Sequence, residues 1–145
     1  MTRYAISQGV TQVEAYRLIT GQGRFTDDVI LPRQCHAVFL RSPYAHADIK
    51  KIDVRAANQM PGILAALTGD DWEADGLGDV PGLATPKRRG GVPGYRPPRP
   101  PLSRGKVRHV GQIIAVVIAE SINQAKDAIE AIEIDFEPLD AMVDQ

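Results

Sequence analysis

The chain has 145 residues, of which 43% are hydrophobic, so it can form one domain with a sizeable core. Its net charge of −1 gives no general attraction to nucleic acid or to an anionic membrane. The single cysteine, Cys35, excludes an internal disulfide and a multi-thiolate metal site, which favours a reducing compartment. Because no apolar run reaches the length of a signal peptide or a membrane span, we expect a cytoplasmic protein.

The first predicted element is a short helix over residues 13–19, VEAYRLI. Gly21 follows it at a position where glycine commonly ends a helix. Gly21 and Gly23 also match the first glycines of a dinucleotide-binding loop, but Thr26 replaces the third glycine and Pro32 opposes a following helix. Isolated Gly-x-Gly pairs mostly form turns, so we interpret this stretch as a turn.

Three strands and a short helix are predicted next. CHAVFLR, residues 35–41, is a continuous apolar run that predicts a strand buried on both faces. AHADIKKIDV, residues 45–54, predicts a second strand, and Asp53 near its end can cap a short helix that stops at Pro61-Gly62. ILAALTG, residues 63–69, predicts the third strand.

Residues 70–106 interrupt this regular pattern. They contain most of the chain's 11 prolines and no apolar periodicity, so we predict a Pro/Gly-rich surface insertion without packed helices or strands. Acidic residues occupy its start, and lysines and arginines occupy the rest. An alternative interpretation is a free-standing binding protein, in which the basic arm over 87–108 binds nucleic acid or an acidic protein partner.

The last part of the chain predicts a strand, a helix and a strand. IIAVVIA, residues 113–119, predicts a strand covered on both faces. Ser121 and Gln124 form a capping-box pattern in which each side chain satisfies a helix amide. Helical spacing predicts a buried face made of Ile122, Ala125, Ile129 and Ile132. IEIDFEPL then alternates apolar and acidic residues, which predicts a strand with one wet face.

The cysteine and the histidines form no recognisable site in the sequence. Cys35 and His36 are neighbours in a predicted strand, so their side chains point to opposite faces, and we expect Cys35 to be a small buried thiol. His36, His46 and His109 lack the close spacing that is typical of zinc motifs.

Other candidate residues also favour structural roles. Asp27 and Asp28 are not followed by the regularly spaced acids of a calcium loop, so we expect them to fix a turn. Ser121 lacks the Gly-x-Ser-x-Gly context of a hydrolase nucleophile. We expect His109 and Gln112 to have structural roles at the start of the long apolar strand. The sequence therefore predicts no catalytic, cofactor-binding or metal-ligating residue in this chain.

Four segments share their order and spacing with one protein family. They are YRLITGQGRFTDDVILP, LRSPYAHADIKKID, ANQMPGILAALTGDD and KVRHVGQIIAVVIAESINQAKDAIEAIEIDFEPLDAMVD. Their most specific parts are Arg41-Ser42-Pro43, Ala45-His46-Ala47 and Val110-Gly111-Gln112. On these residues the chain resembles the N-terminal domain of molybdenum hydroxylase large subunits, the family of xanthine dehydrogenase, aldehyde oxidase and carbon monoxide dehydrogenase.

The resemblance implies an α/β-hammerhead fold of the α/β (α+β) class. Such a fold implies a mixed sheet with about two packed helices and a long irregular insertion. We therefore expect residues 1–145 to form a single hammerhead domain, with 70–106 as its surface insertion.

The resemblance also implies a function. Enzymes of this family hydroxylate an aldehyde, an N-heterocycle or carbon monoxide with oxygen from water, using molybdopterin, commonly its cytosine dinucleotide form. Their pterin-binding segments and catalytic glutamate lie in later domains, so we expect a noncatalytic module that binds no cofactor and is inactive alone. Its expected partners are a molybdopterin-binding domain or subunit and subunits carrying FAD and [2Fe–2S] clusters. The sequence fits both an excised piece and a short gene product that assembles with a separate cofactor subunit.

Limited trypsin digestion tests the predicted insertion. We expect the first cuts between Arg88 and Arg104, because an irregular proline-rich segment with exposed basic residues is accessible to a protease. Mass spectrometry of the early fragments locates the cuts. Protection of this whole stretch while other sites are cleaved would contradict the prediction.

Overall fold

A computed structural model describes residues 9, 12–82 and 87–142. The residues through Gln34 and those from Cys35 onward form two compact units. That residues 1–145 act as one domain stays a prediction. Within the described ranges, none of the helices has the length and hydrophobicity that crossing a membrane requires.

The first unit contains helix α1 (Ala15–Ile19) and a 3₁₀ turn (Thr26–Asp28). Gly21, just beyond the helix, has a φ of +71°, which confirms its role in ending α1. The carboxylate of Asp28 accepts a hydrogen bond from the Phe25 amide at 2.9 Å, so the predicted turn is also confirmed.

The second unit is built from strands, with short helices between them. The strands are β1 (His36–Arg41), β2 (Ala47–Asp53), β3 (Ile63–Thr68), β4 (Lys106–Val107), β5 (Ile113–Ala119) and β6 (Glu133–Pro138). The helices are α2 (Arg55–Asn58), α3 (Gly69–Ala74) and α4 (Ile122–Glu130).

The strands form two three-stranded sheets, in the orders β1-β5-β3 and β4-β2-β6. Every pairing is antiparallel, which corrects the expectation of a mixed sheet. The strands that precede the insertion pair with strands from the second half of the chain. Such long-range pairing leaves no signal in local periodicity.

The larger core lies between the β1-β5-β3 sheet and helices α2 and α4. Its buried residues are Ala57, Ala66, Ala115, Val117, Ala119, Ala125, Ala128 and Ile132. Most of these side chains are alanine, and their small size lets α4 approach the sheet closely.

A second cluster joins the two sheets. Ala47, Val107 and Ile114 are fully buried and pack together, although Ile114 belongs to β5 and the other two belong to the β4-β2-β6 sheet. Ile52 and Ile134 pack against both clusters. The second unit therefore has one continuous apolar interior, with β5 in contact with both parts of it.

Helix α4 begins as predicted, with one difference in its cap. The Ser121 hydroxyl accepts a hydrogen bond from the Gln124 amide at 3.3 Å. The Gln124 side chain accepts from that hydroxyl at 2.7 Å instead of from a backbone amide, and its Nε2 donates to the Pro61 carbonyl at 3.3 Å. Ile122 was expected to be buried but is 48% exposed, because Ala125 and Ala128 make the fully buried contact.

Strand β1 corrects the prediction of burial on both faces. Its residues alternate between half-buried and exposed positions, and Phe39 is 46% exposed. Cys35, expected to be a buried thiol, is also exposed. In β6, by contrast, the predicted alternation of half-buried apolar and exposed acidic residues is confirmed.

The insertion contains more regular structure than predicted at both of its ends. Helix α3 begins after Thr68, whose amide and hydroxyl donate to the Asp71 carboxylate at 2.7 and 2.8 Å. At the other end, Leu102 and Ser103 are buried. The Ser103 amide and hydroxyl both donate to the Ile113 carbonyl at 2.8 Å. The apolar pattern of the insertion does not reveal these contacts, because the first is a short helix cap and the others join the insertion to the distant strand β5.

Replacing Ile114 with alanine tests the junction between the two clusters. Since Ile114 is 0% exposed, the change leaves a cavity, and we expect the free energy of unfolding to fall by about 2–5 kcal/mol. The matched control, Ile122→Ala, removes the same atoms from an exposed site and should cost less than about 1 kcal/mol. Urea denaturation of the chain measures both. Equal losses would contradict the assigned role of Ile114.

Candidate docking surface

The described residues contain no group of three or more histidine, cysteine, aspartate or glutamate side chains able to hold a metal ion. The Nδ1 atom of His46 lies 2.8 Å from the Asp140 carbonyl, and that of His109 lies 3.1 Å from the Val110 carbonyl. The predicted absence of site residues stays a prediction.

The outward side of the β1-β5-β3 sheet is apolar, and we call it the outer face. Register places Phe39, Val116 and Leu67 side by side in one row across β1, β5 and β3. A second row consists of Ala37, Ile118 and Ala65. Phe39 and Leu67 are 46% and 38% exposed, while Val116 and Ile118 are half-buried. These two rows present six apolar side chains. At the end of the same face, Arg41 of β1 is exposed and Ile114 of β5 is buried against the β4-β2-β6 sheet.

The outward side of the β4-β2-β6 sheet is charged and provides an internal contrast. Lys50 forms an ion pair with Glu137, and Lys106 forms one with Asp48 at 3.1 Å. The hydrogen bond and the charge of Glu137 raise the pKa of Lys50 above its ordinary value. Paired charges of this kind are typical of a sheet face in contact with water.

Asp53 holds the junction between β2 and α2. Arg55 donates to its carboxylate from the side chain, at 2.5 to 3.2 Å, and from the backbone amide, at 3.1 Å. These hydrogen bonds hold the pKa of Asp53 well below its ordinary value. The predicted capping role is therefore confirmed in part, because the carboxylate binds the first amide of α2 while Val54 is the residue at the cap position.

Arg104, near the end of the insertion, forms ion pairs with residues at the start of the insertion. Its guanidinium group contacts Asp70 at 3.0 Å and also pairs with Glu73, both in α3. These two carboxylates raise the pKa of Arg104. Sequence reasoning missed this contact, since it read the acidic start and the basic end of the insertion as separate segments.

A cleft of about 630 Å³ lies between β2 and the ends of the insertion. The basic side chains that line it are Lys50, Lys51 and Arg104. Each of these has a carboxylate partner, at Glu137, Asp53 and Asp70 or Glu73 respectively. The cleft therefore offers no cation without a counter-ion to an anionic ligand.

Two motif segments that are far apart in the sequence meet in one loop pair. The Ser42 amide donates to the Gln112 carbonyl at 2.9 Å, and the Gly111 amide donates to the Ser42 carbonyl at 2.8 Å. Arg41 adds a hydrogen bond from Nη1 to the Gly111 carbonyl at 2.9 Å. Gln112 also accepts from the Arg108 amide at 2.6 Å, which agrees with a structural role for this residue.

Comparison with known proteins identifies the chain. The family model described as the aldehyde oxidase and xanthine dehydrogenase a/b hammerhead domain matches residues 20–140. The chain belongs to this family. The hammerhead fold implied by the resemblance is therefore confirmed, with its strands divided between two small antiparallel sheets.

The similar proteins are much longer than this chain. The nicotine 6-hydroxylase large subunit of Paenarthrobacter nicotinovorans is 35% identical over 99% of this chain, which spans 17% of that subunit. The crystal structure of quinoline 2-oxidoreductase from Pseudomonas putida 86 matches 96% of the chain with a TM-score of 0.77 and 35% identity. A Cu,Mo-CO dehydrogenase structure matches 93% with a TM-score of 0.78 and 38% identity. The chain spans 17% and 16% of these two solved chains.

Replacing Asp53 with asparagine tests the junction with α2. Because the pKa of Asp53 is lowered in the folded state, its stabilising contribution is complete above its unfolded pKa of about 4 and is lost as the pH falls further. We expect Asp53→Asn to lower the free energy of unfolding at pH 7, with a difference that shrinks below pH ~4.

Urea denaturation at a series of pH values measures this difference. Asp79→Asn, at an exposed position in the insertion, serves as the control and should change stability little at any pH. A stability difference at Asp53 that grew as the pH fell would contradict the assignment.

Proposed function

We propose that this chain is the noncatalytic hammerhead module of a molybdopterin-dependent hydroxylase. The observation that carries the proposal is the pairing of family membership with length, since the chain spans only 15–17% of relatives that match nearly all of it. The catalytic apparatus then lies in the remaining part of the large subunit. The outer face gives this module a surface on which that remainder can pack.

In the complete enzyme, the proposed substrate is an aldehyde, an N-heterocycle or carbon monoxide. Similar proteins are named for nicotine, quinoline, carbon monoxide, xanthine and aldehyde, which supports this range of substrates. When bound, the molybdenum cofactor supplies the hydroxylation chemistry with oxygen derived from water. FAD and [2Fe–2S] groups, held in partner domains or subunits, would supply the electron-transfer chemistry.

The described residues do not fit these cofactors. A pterin dinucleotide needs several phosphate donors, but Gly21 ends a helix, and Gly90 and Gly91 form an exposed turn at φ of +88° and +80°. One cysteine cannot supply the four ligands of a [2Fe–2S] cluster. We therefore assign molybdopterin, commonly its cytosine dinucleotide form, to the rest of the enzyme.

The chain's own residues contribute packing and positioning. The loop pair around Ser42 and Gly111 holds β1 and β5 together at one end of the sheet. Arg104 ties the end of the insertion to its start, and Ser103 ties that end to β5. Both ends of the basic stretch are therefore held at fixed positions on the domain. We propose a cytoplasmic location, supported by the single cysteine. The alternative of a free-standing binding protein is not retained, because the similar proteins named above are enzymes.

Comparison of the chain with the complete enzyme tests this function. We expect the complete enzyme to contain molybdenum and to reduce a dye with aldehydes, N-heterocycles or carbon monoxide. The chain purified alone should fold but contain no molybdenum, flavin or iron–sulfur cluster and show no turnover, because its ligating residues are dispersed. Metal analysis, absorption spectra and the dye assay check these points. Stoichiometric molybdenum in the isolated chain, or a complete enzyme without it, would contradict the proposal.

A further inference from the structure

The outer face shows a mismatch between sequence and structure. An antiparallel sheet with one wet face normally alternates apolar and polar residues, as β6 does. Strands β1 and β5 have the continuous apolar runs of strands covered on both faces. On their outward side the β4-β2-β6 sheet covers Ile114, yet Phe39, Val116 and Ile118 remain partly exposed. Within the second unit, the composition of these strands therefore suits a further cover over these three residues.

The two core clusters account for the inward side of the same sheet only. Val38, Leu40 and Val117 belong to or pack against the larger cluster. The large outer-face residues, Phe39, Leu67, Val116 and Ile118, belong to neither cluster and pack against neither. These four side chains lie on three adjacent strands, so one rigid surface presents them together.

We propose that the outer face is buried against the molybdopterin-binding part of the large subunit. This inference rests on the proposed function and names the surface that carries it out. Permanent interfaces are more apolar than those between exchangeable partners, and the six side chains in the two rows of the outer face carry no donor, acceptor or charge. The permanent neighbour of this module is the rest of its own subunit, because relatives such as the nicotine 6-hydroxylase large subunit extend far beyond the 17% that it spans.

Other surfaces of the module suit other environments. The charged outward side of the β4-β2-β6 sheet carries its own ion pairs and is compatible with water. The basic stretch holds exposed Lys87, Arg88, Arg89 and Arg99, which favour an acidic and exchangeable partner. An FAD or iron–sulfur subunit therefore has a polar surface available and does not require the outer face.

Photo-cross-linking in the complete enzyme tests this assignment. Phe39 is replaced by p-benzoylphenylalanine, which keeps an aromatic ring at this exposed position, and mass spectrometry identifies the cross-linked peptide. We expect a peptide from the molybdopterin-binding part of the large subunit. The matched control places the same residue at Lys50, on the charged sheet, where this cross-link should be lost.

Several outcomes would overturn the inference. The first is a cross-link from position 39 to an FAD or iron–sulfur subunit, to a second copy of this chain, or only to residues within 1–145. The others are the absence of any cross-link and equal cross-link yields from positions 39 and 50. Molybdenum content and turnover of the unmodified enzyme are measured separately. An enzyme that lacks molybdenum defeats the proposed function, whereas an active molybdenum enzyme with its cross-link elsewhere defeats only the docking assignment.

Discussion

The central position of β5 is the constraint on which the rest of the second unit depends. This strand pairs with β1 on one side and β3 on the other, so its backbone groups are satisfied along both edges. Its inward alanines and Val117 meet α4, while Ile114 reaches the other sheet. A polar residue at an inward position of β5 would disturb the contact with α4, and one at position 114 would disturb the contact with the other sheet.

The two sheets are both three-stranded and antiparallel, but their outward sides differ in polarity. The β4-β2-β6 sheet turns paired lysines and carboxylates outward, and solvation of these groups makes a further cover unnecessary. The β1-β5-β3 sheet turns apolar side chains outward, so water contact is unfavourable there. A module with one solvated face and one apolar face is suited to packing at one side of a larger protein.

Side-chain contacts hold the two ends of the irregular insertion at fixed positions. Arg104 pairs with two carboxylates of α3, and the nearby Ser103 binds the start of β5 through its amide and hydroxyl. Exposed ion pairs of this kind contribute little stability individually, but here they act beside the buried Leu102 and Ser103. Anchoring the ends restricts where the basic stretch can lie.

The sequence by itself determined the helix ends and the strong strands. Gly21, Ser121, the run in β5 and the alternation in β6 act through local conformation and neighbouring residues, so their roles are readable from spacing. Motif order likewise determined the family and hence the hammerhead fold. Strand partners, the α3 cap and the Arg104 contacts were decided by the tertiary structure, because they join residues whose separation in the chain carries no periodic signal. The outer face depends on both: the apolar composition of its strands is visible in the sequence and predicts burial on both faces, and only the fold shows which of these side chains stay partly exposed.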